Sequence, residues 1–404
     1  MAIILQPTPS GDLLSIYAPI IYELEETTIY GNAPIIKAQL FISGQPYGNE
    51  YVQPHYARTP TLAYLFRFDI SELLRAYTDN EDTFNLGGNT NVQPAANAAN
   101  AGFMKRLNFY VEFTVWESSG QGGIYEDSGI IYNSNTLFGL SVAANQYLDE
   151  NSIEFFGGVF PTRFLTNAPK RQAIGLGEKL YLSYFNRGSS REGMRIQTFN
   201  AAGALVATVY YTIGQGLNTA LRVRRLAVGT ADIALLTSLV GIHYYTICLV
   251  VDTTIPVPIV FTEIREFYIS SDCTKYSLYF LNALGADDVI RFKDYQITNT
   301  VEKEMYAANN PNFPTSGARG GTVLNSRGTR SITLTKFGLV NRLQPWLYEL
   351  QNTSVAYLQA EGSTQLTAVV VDTVSNFTAE GTEQSTQDIE VSCTFANIDY
   401  SHSN

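Results

Sequence analysis

Histidine, the side chain that most often moves protons near neutral pH, occurs three times, as His55, His243 and His402. His243 lies in the apolar run GIHYYTICLVV, where a satisfied structural histidine is expected, and His402 stands two residues before the last one given. A Ser-His-Asp or Cys-His triad would therefore have to use His55, in YVQPHYARTP, and no G-x-S-x-G turn offers it a nucleophile. The cysteines Cys248, Cys273 and Cys393 are far apart and make neither a C-x-x-C nor a His-flanked pattern, so neither structural zinc nor a disulfide framework is expected. Gly175-Leu176-Gly177 and Gly214-Gln215-Gly216 lack the third glycine and the strand-to-helix context of a dinucleotide site, and they read as turns. The acids Asp79, Glu81 and Asp82 and the pair Asp287-Asp288 lack calcium-loop spacing and are expected in solvated turns. Glycoside hydrolysis needs two carboxylates but no local motif, and Glu112, Glu117 and Glu126 lie on or near strands, where solvent-facing positions are expected. These residues single out no catalytic, cofactor or metal site, and the chain is expected not to be an enzyme.

Composition turns attention from chemistry to surfaces. The 404 residues carry 26 Lys and Arg against 37 Asp and Glu, a net charge of −11, which argues against nucleic acid as a partner. Charged residues make up 16% of the chain, below the roughly 25% of ordinary soluble domains, while 26 Tyr and 22 Phe raise the aromatic share to 12%. Low charge with many tyrosines suits a chain that buries surface against neighbours, because Tyr offers apolar area with a polar tip. The start, MAIILQPTPSGDLL, has no basic segment ahead of its apolar run and reads as no secretory signal, and no apolar stretch is long enough for a membrane span.

The elements that position these residues are expected to be strands, since aromatic and β-branched residues recur with period 2 between turn-forming clusters. Ile35 to Ile42 alternates and stops at Ser43-Gly44. Arg106 to Trp116 sets Leu107, Phe109, Val111, Phe113 and Val115 on one face, which is expected to be core. Arg195 to Phe199 and Leu205 to Thr212 flank Asn200-Ala201-Ala202-Gly203 as a hairpin. Further strands are expected over Lys179 to Phe185, His243 to Val251, Ile264 to Ser270, Ser277 to Leu281, Ser331 to Thr335 and Ala368 to Asp372. Helices are few. Phe68 to Tyr77 has Asp69 or Ser71 as N-cap, and Phe337 to Gln351 spaces Leu339, Leu343, Leu347 and Leu350 helically, with Pro345 expected to break or restart it.

Two segments, 78–105 and 306–330, are poor in large apolar residues and too long for hairpin connections, and read as extended arms. Ordering such an arm costs on the order of 1 to 2 kcal/mol per residue of backbone, so a neighbouring subunit is expected to cover it, with Val92, Phe103, Phe313 and Arg319 as anchors; the rival reading is a local Ω-loop packed on its own domain. The fold class expected is all-β: tandem antiparallel β-sandwich domains with a few short helices and long loops. Composition shifts divide the chain into 1–152, with the insertion 78–105, a middle sandwich 153–257, and 258–404, with a short helix and the arm 306–330.

Three segments carry a resemblance: FLTNAPKRQAIGLGEKLYLSYF from Phe164, EFYISSDCTKYSLYFLNALGADDVIRF from Glu266, and the tail from Pro345 to Ala396, with PWLYELQNTSVAYLQ, TAVVVDTVSNF and DIEVSCTFA. Together they resemble virion structural proteins, tail- or fibre-associated, of tailed phages and prophages of Bacteroidetes. The resemblance covers about a third of the chain and consists of strand and turn patterns, so it transfers no functional residue. It implies a structural subunit made in the host cytoplasm and located in the virion, assembling symmetrically with copies of itself and with other virion proteins. The alternative is a receptor- or carbohydrate-binding module on the host surface, with Trp116 and Trp346 as candidates for stacking on a glycan. Against the stacking role, Trp346 stands beside Leu347 and Leu350, as a core anchor would.

Overall fold

The computed structural model describes residues 3–4, 13–26, 34–54, 57–59, 64–79, 106–118, 125–140, 155–156, 162–186, 192–213, 222–233, 241–251, 258–270, 274–306, 322–340, 344–363, 365–378 and 386–396. The chain is all-β, with two short helices among these residues. The first unit holds β1 (Ile3–Ile4), β2 (Leu13–Ser15), β3 (Ile21–Glu26), β4 (Ile35–Ile42), β5 (Gln45–Pro54), β6 (Ala57–Arg58), β7 (Tyr64–Asp69), α1 (Ser71–Asp79), β8 (Arg106–Ser118), β9 (Tyr125–Asn133) and β10 (Leu137–Leu140). A four-stranded sheet, β1-β3-β7-β6, faces a six-stranded one, β2-β10-β8-β4-β5, with β9 also paired to β8. Both sheets contribute to one core, as period-2 alternation requires: Tyr22, Leu24, Phe66 and Phe68 from the smaller sheet meet Ile36, Leu40, Val111 and Phe113 from the larger. All five apolar residues expected inward on β8, Leu107, Phe109, Val111, Phe113 and Val115, are buried. The Phe113 ring lies 5.5 Å from Tyr22 and 5.4 Å from Phe68, joining the two sheets. Helix α1 starts where Asp69 Oδ1 accepts the amides of Ser71 (2.9 Å) and Ile20 (3.2 Å), and Arg75 ties it down by donating to the carbonyls of Ile16 and Tyr17.

The middle unit holds β11 (Arg171–Gly175), β12 (Tyr181–Asn186), β13 (Glu192–Phe199), β14 (Leu205–Ile213), β15 (Arg222–Ala227), β16 (Tyr244–Val251), β17 (Ile259–Val260) and β18 (Arg265–Ser270). One sheet runs β11-β18-β16-β13-β14 with β17 added to β16, and β12 and β15 form a second, two-stranded sheet. The expected hairpin joins β13 to β14: Asn200 Oδ1 accepts the amides of Ala202 and Ala204, and Gly203 takes the positive φ of +78° that closes the turn. Pairing carries on beyond the boundary expected at residue 258. Both β17 and β18 pair with β16, so the change of sheet falls between Ser270 and Tyr276.

The last unit holds β19 (Tyr276–Leu281), β20 (Asp287–Phe292), β21 (Asp294–Tyr306), β22 (Thr322–Val340), α2 (Gln344–Gln351), β23 (Ala356–Ala360), β24 (Thr367–Thr378) and β25 (Thr386–Phe395) in one sheet of order β20-β19-β23-β24-β25-β22-β21. Its two edge strands, β20 and β21, are separated in the chain by Lys293 alone, so the sheet must roll until its edges nearly meet. Helix α2 lies against the rolled core, with Trp346, Leu347 and Leu350 buried among Phe280, Ile332, Leu334 and Val391. The helix expected over Phe337 to Gln351 is shorter. Phe337 to Val340 belong to β22, held by pairing to β25, and Pro345 restarts the chain as a helix in its first turn, where a missing N–H costs nothing. The segment 306–330 also differs from the arm expected. Thr322 to Arg330 pair with Asn299 to Tyr306 as a two-stranded ribbon that runs beyond the contact with β25, which reaches only Ser331.

Candidate assembly interface

The middle and last units are joined by buried charge. The strand-initial pair Asp287-Asp288, expected in a solvated turn, opens β20 instead and is buried, because each acid has partners from distant segments. Arg225 of β15 donates to Asp287 Oδ2 from Nη2 (2.6 Å) and Nε (3.2 Å) and lies 3.6 Å over the Tyr181 ring. Asp288 accepts from Thr166 Oγ1 (2.6 Å), Asn282 Nδ2 (3.1 Å) and Trp346 Nε1 (2.9 Å). Burial nevertheless pushes the Asp288 carboxyl up to about 6, and burial likewise pushes Glu349, which accepts from Asn167 Nδ2 at 2.6 Å, up to about 7. Arg291 pairs with Glu178 across the same junction. The strap 164–169 is fixed from the middle sheet by Arg265, which donates to the carbonyls of Ala168 (2.7 Å), Pro169 (3.2 Å) and Thr166 (3.2 Å) and to Glu263 Oε1. Tyr279 and Val289 of the last unit complete the core of the middle one. These carboxylates are consumed by the fold, and their arrangement makes two β-units into one body.

The residues singled out from sequence divide sharply. Trp346 is 5% exposed, with its N–H on Asp288 and its ring 6.1 Å from Phe280, so it has no face for a sugar; it is the core anchor its neighbours suggested. Trp116 is half-buried, and Lys37 Nζ sits 3.3 Å over one face of its ring. His243 is exposed ahead of β16, not buried within a strand; its amide donates to the Phe199 carbonyl and its ring meets Tyr268 edge-on at 6.3 Å. Val92, Phe103, Phe313 and Arg319 lie outside the described residues, as do His55, His402, Cys273, Glu81 and Asp82. Cys248 and Cys393 are buried free thiols. Glu112 is half-buried on the outer face of β8. Among the described residues no group of three or more His, Cys, Asp or Glu could hold a metal ion. A pocket of 130 Å³ beside α1, lined by Leu40, Phe68, Ile70, Leu73 and Val111, has Asp69 at its wall, already engaged in capping.

What the units offer outward is strand edge and aromatic surface. Across β13, β16 and β18 the rings of Phe199, Tyr244 and Tyr268 stack in a row, with centroids 4.7 and 5.1 Å apart, so both faces of Tyr244 are covered. Strand β14 ends this sheet, and among the described residues it pairs only with β13. Its Leu205, Val206 and Tyr210 are 54%, 51% and 38% exposed. In the last unit the ribbon of β21 and β22 carries Val301 at 57% exposure. An isolated two-stranded ribbon is marginal in water, and an uncharged strand edge is a template for another strand. The signal of this edge in the sequence is an absence: no charged residue occurs from Ile196 to Leu221. No protein-family model matches the chain, and no curated protein matches it.

Proposed function

We propose that the chain is a non-enzymatic structural subunit of a bacteriophage virion, tail-associated, that assembles symmetrically with copies of itself and with other virion proteins. The observation that carries this reading is an apolar, uncharged edge strand, β14, on a unit whose own interior is closed by ion pairs and packed aromatics. The ion pairs Arg225–Asp287 and Arg291–Glu178 join the middle and last units, while the apolar edge strand β14 pairs, among the described residues, with β13 alone. A monomer has no use for exposed edges, which invite aggregation, whereas a subunit covers them on assembly. The low charge and high tyrosine content agree with surfaces meant for burial. The alternative of a glycan-binding module has less support, since Trp346 is buried and Trp116 is half-buried with Lys37 over one face. The test is electron microscopy of particles purified from cells that encode the chain, with antibody against it. Label at a fixed, symmetric position on the particle is expected, and particles that bind no antibody although the chain is expressed would overturn the reading.

A further inference from the structure

We propose that β14 is the self-association edge of this protein: two copies align their β14 strands antiparallel across a two-fold axis and fuse their middle sheets into one continuous sheet. The proposal rests on the assembly reading above and adds the partner, a second copy, and the strand that meets it.

The other long sheet edges are guarded. Strand β5 (QPYGNEYVQP) carries two prolines and Glu50, and β21 (DYQITNTVEKEMY) carries Asp294, Glu302, Lys303 and Glu304. Proline and charge are what proteins place on edges to keep other strands away. Strand β14, LVATVYYTI, has neither over nine residues. Its charge-free surroundings are wider still, since the 26 residues from Ile196 to Leu221 include the whole hairpin turn before it. For a chain of net charge −11, most surfaces of two copies oppose like charge when they meet. At β14 an antiparallel copy brings no charge against charge. Pairing centred on Val209 sets Thr208 against Tyr210 of the other copy, and Ala207 against Tyr211, a small residue against a large one on each face. Such a contact is isologous and uses up both edges at once, so it stops at a dimer where pairing of β14 with a different edge of the next copy would run on into a filament.

The test uses the full chain in solution. Sedimentation equilibrium of the wild type is expected to report a reversible dimer, and the double variant Thr208→Lys, Tyr210→Lys, which places lysine opposite lysine on the outer face, is expected to weaken it by roughly tenfold or more while far-UV circular dichroism stays unchanged. A second variant fixes the register independently of that charge effect. In a Cys273→Ser background, Val209→Cys meets its own copy at about 4.5 to 5.5 Å between Cα atoms, within disulfide reach, and is expected to give a covalent dimer on mild oxidation, whereas Val206→Cys is not. A wild type that stays monomeric at high micromolar concentration overturns the proposal. So does a dimer that the lysine variant leaves intact and Val209→Cys fails to lock, which would show association through another surface and leave the assembly reading standing. The assembly reading itself fails separately, by absence of the chain from particles.

Discussion

Replacing Arg265 with alanine tests whether buried charge holds the middle and last units together. The guanidinium is 1% exposed, donates to Glu263 Oε1 from Nε (2.9 Å) and Nη2 (2.7 Å), and serves three carbonyls of the strap 164–169. Alanine leaves the Glu263 carboxylate, itself 5% exposed, with Lys170 at 3.3 Å and Arg163 at 3.9 Å, and strips a donor from Thr166, Ala168 and Pro169. Breaking a buried pair from one side costs about 3 to 5 kcal/mol, and each abandoned carbonyl adds on the order of 1 kcal/mol, softened by those two remaining cations and by water entering the gap, so a loss of about 4 kcal/mol is expected. The comparison is Arg171→Ala. Its ion pair with Glu266 is as short, 2.7 Å, but the arginine is 73% exposed, so less than about 1 kcal/mol is at stake. Urea unfolding followed by Trp346 fluorescence in a Trp116→Phe background reads the junction directly, because the Trp346 indole donates to Asp288 in the same network. The double variant Arg265→Met, Glu263→Met removes both charges and is expected to recover part of the loss. An Arg265→Ala midpoint no lower than that of Arg171→Ala would refute the account of the junction.

In the first unit, Phe113→Ala opens a cavity between the two sheets against Tyr22 and Phe68, and a loss of about 3 to 5 kcal/mol is expected by chemical denaturation. Gly229 packs so tightly on the 178–180 backbone that a Cβ would stand 2.6 Å from the Leu180 nitrogen and 2.8 Å from Lys179 Cα; Gly229→Ala is therefore expected to cost about 2 kcal/mol or more, measured as a lowered melting temperature. Stability should also respond to pH in an unusual direction. Asp288 and Glu349 have folded pKa values raised to about 6 and about 7, so between pH 4 and 7 the folded state binds more protons than the unfolded one, and stability falls as pH rises through that window. Melting curves from pH 5 to 8 are expected to show the Trp346 transition highest near pH 5, with Asp288→Asn flattening the slope; a transition that rises steadily with pH would contradict this.

Period-2 patterning made β8 legible, face included, because eleven residues of RLNFYVEFTVW admit one strand orientation with an apolar side. The hairpin at Asn200 was legible for a local reason too, since Asn and Gly supply the turn themselves. What failed was long-range. Leucines at helical spacing suggested helix from Phe337, yet strand pairing between Lys336 and Ile389 and between Val340 and Thr386 holds that stretch in β22. Asp287 and Asp288 read as a polar turn because their partners Arg225, Thr166 and Trp346 are 58 to 122 residues away. Strand β22 was expected only over Ser331 to Thr335, since LNSRGTR has no apolar alternation; it is strand because β21 pairs with it outside the core. The middle unit's limit was misplaced for a similar reason, as Pro256 and Pro258 interrupt the chain but not the sheet. The 26 charge-free residues around β14 mark an apolar strand, but that this strand lies at the sheet edge is set by long-range pairing, which no local pattern encodes.

The claim that this chain is a virion subunit is tested most directly by quantitative mass spectrometry of purified, nuclease-treated particles from cells that encode it. The account predicts the chain in intact particles, co-sedimenting with them and present in a fixed copy number shared with or divisible by that of a symmetric tail component. Its absence from particles, with abundant chain left in the soluble fraction of the same lysate, would contradict the account.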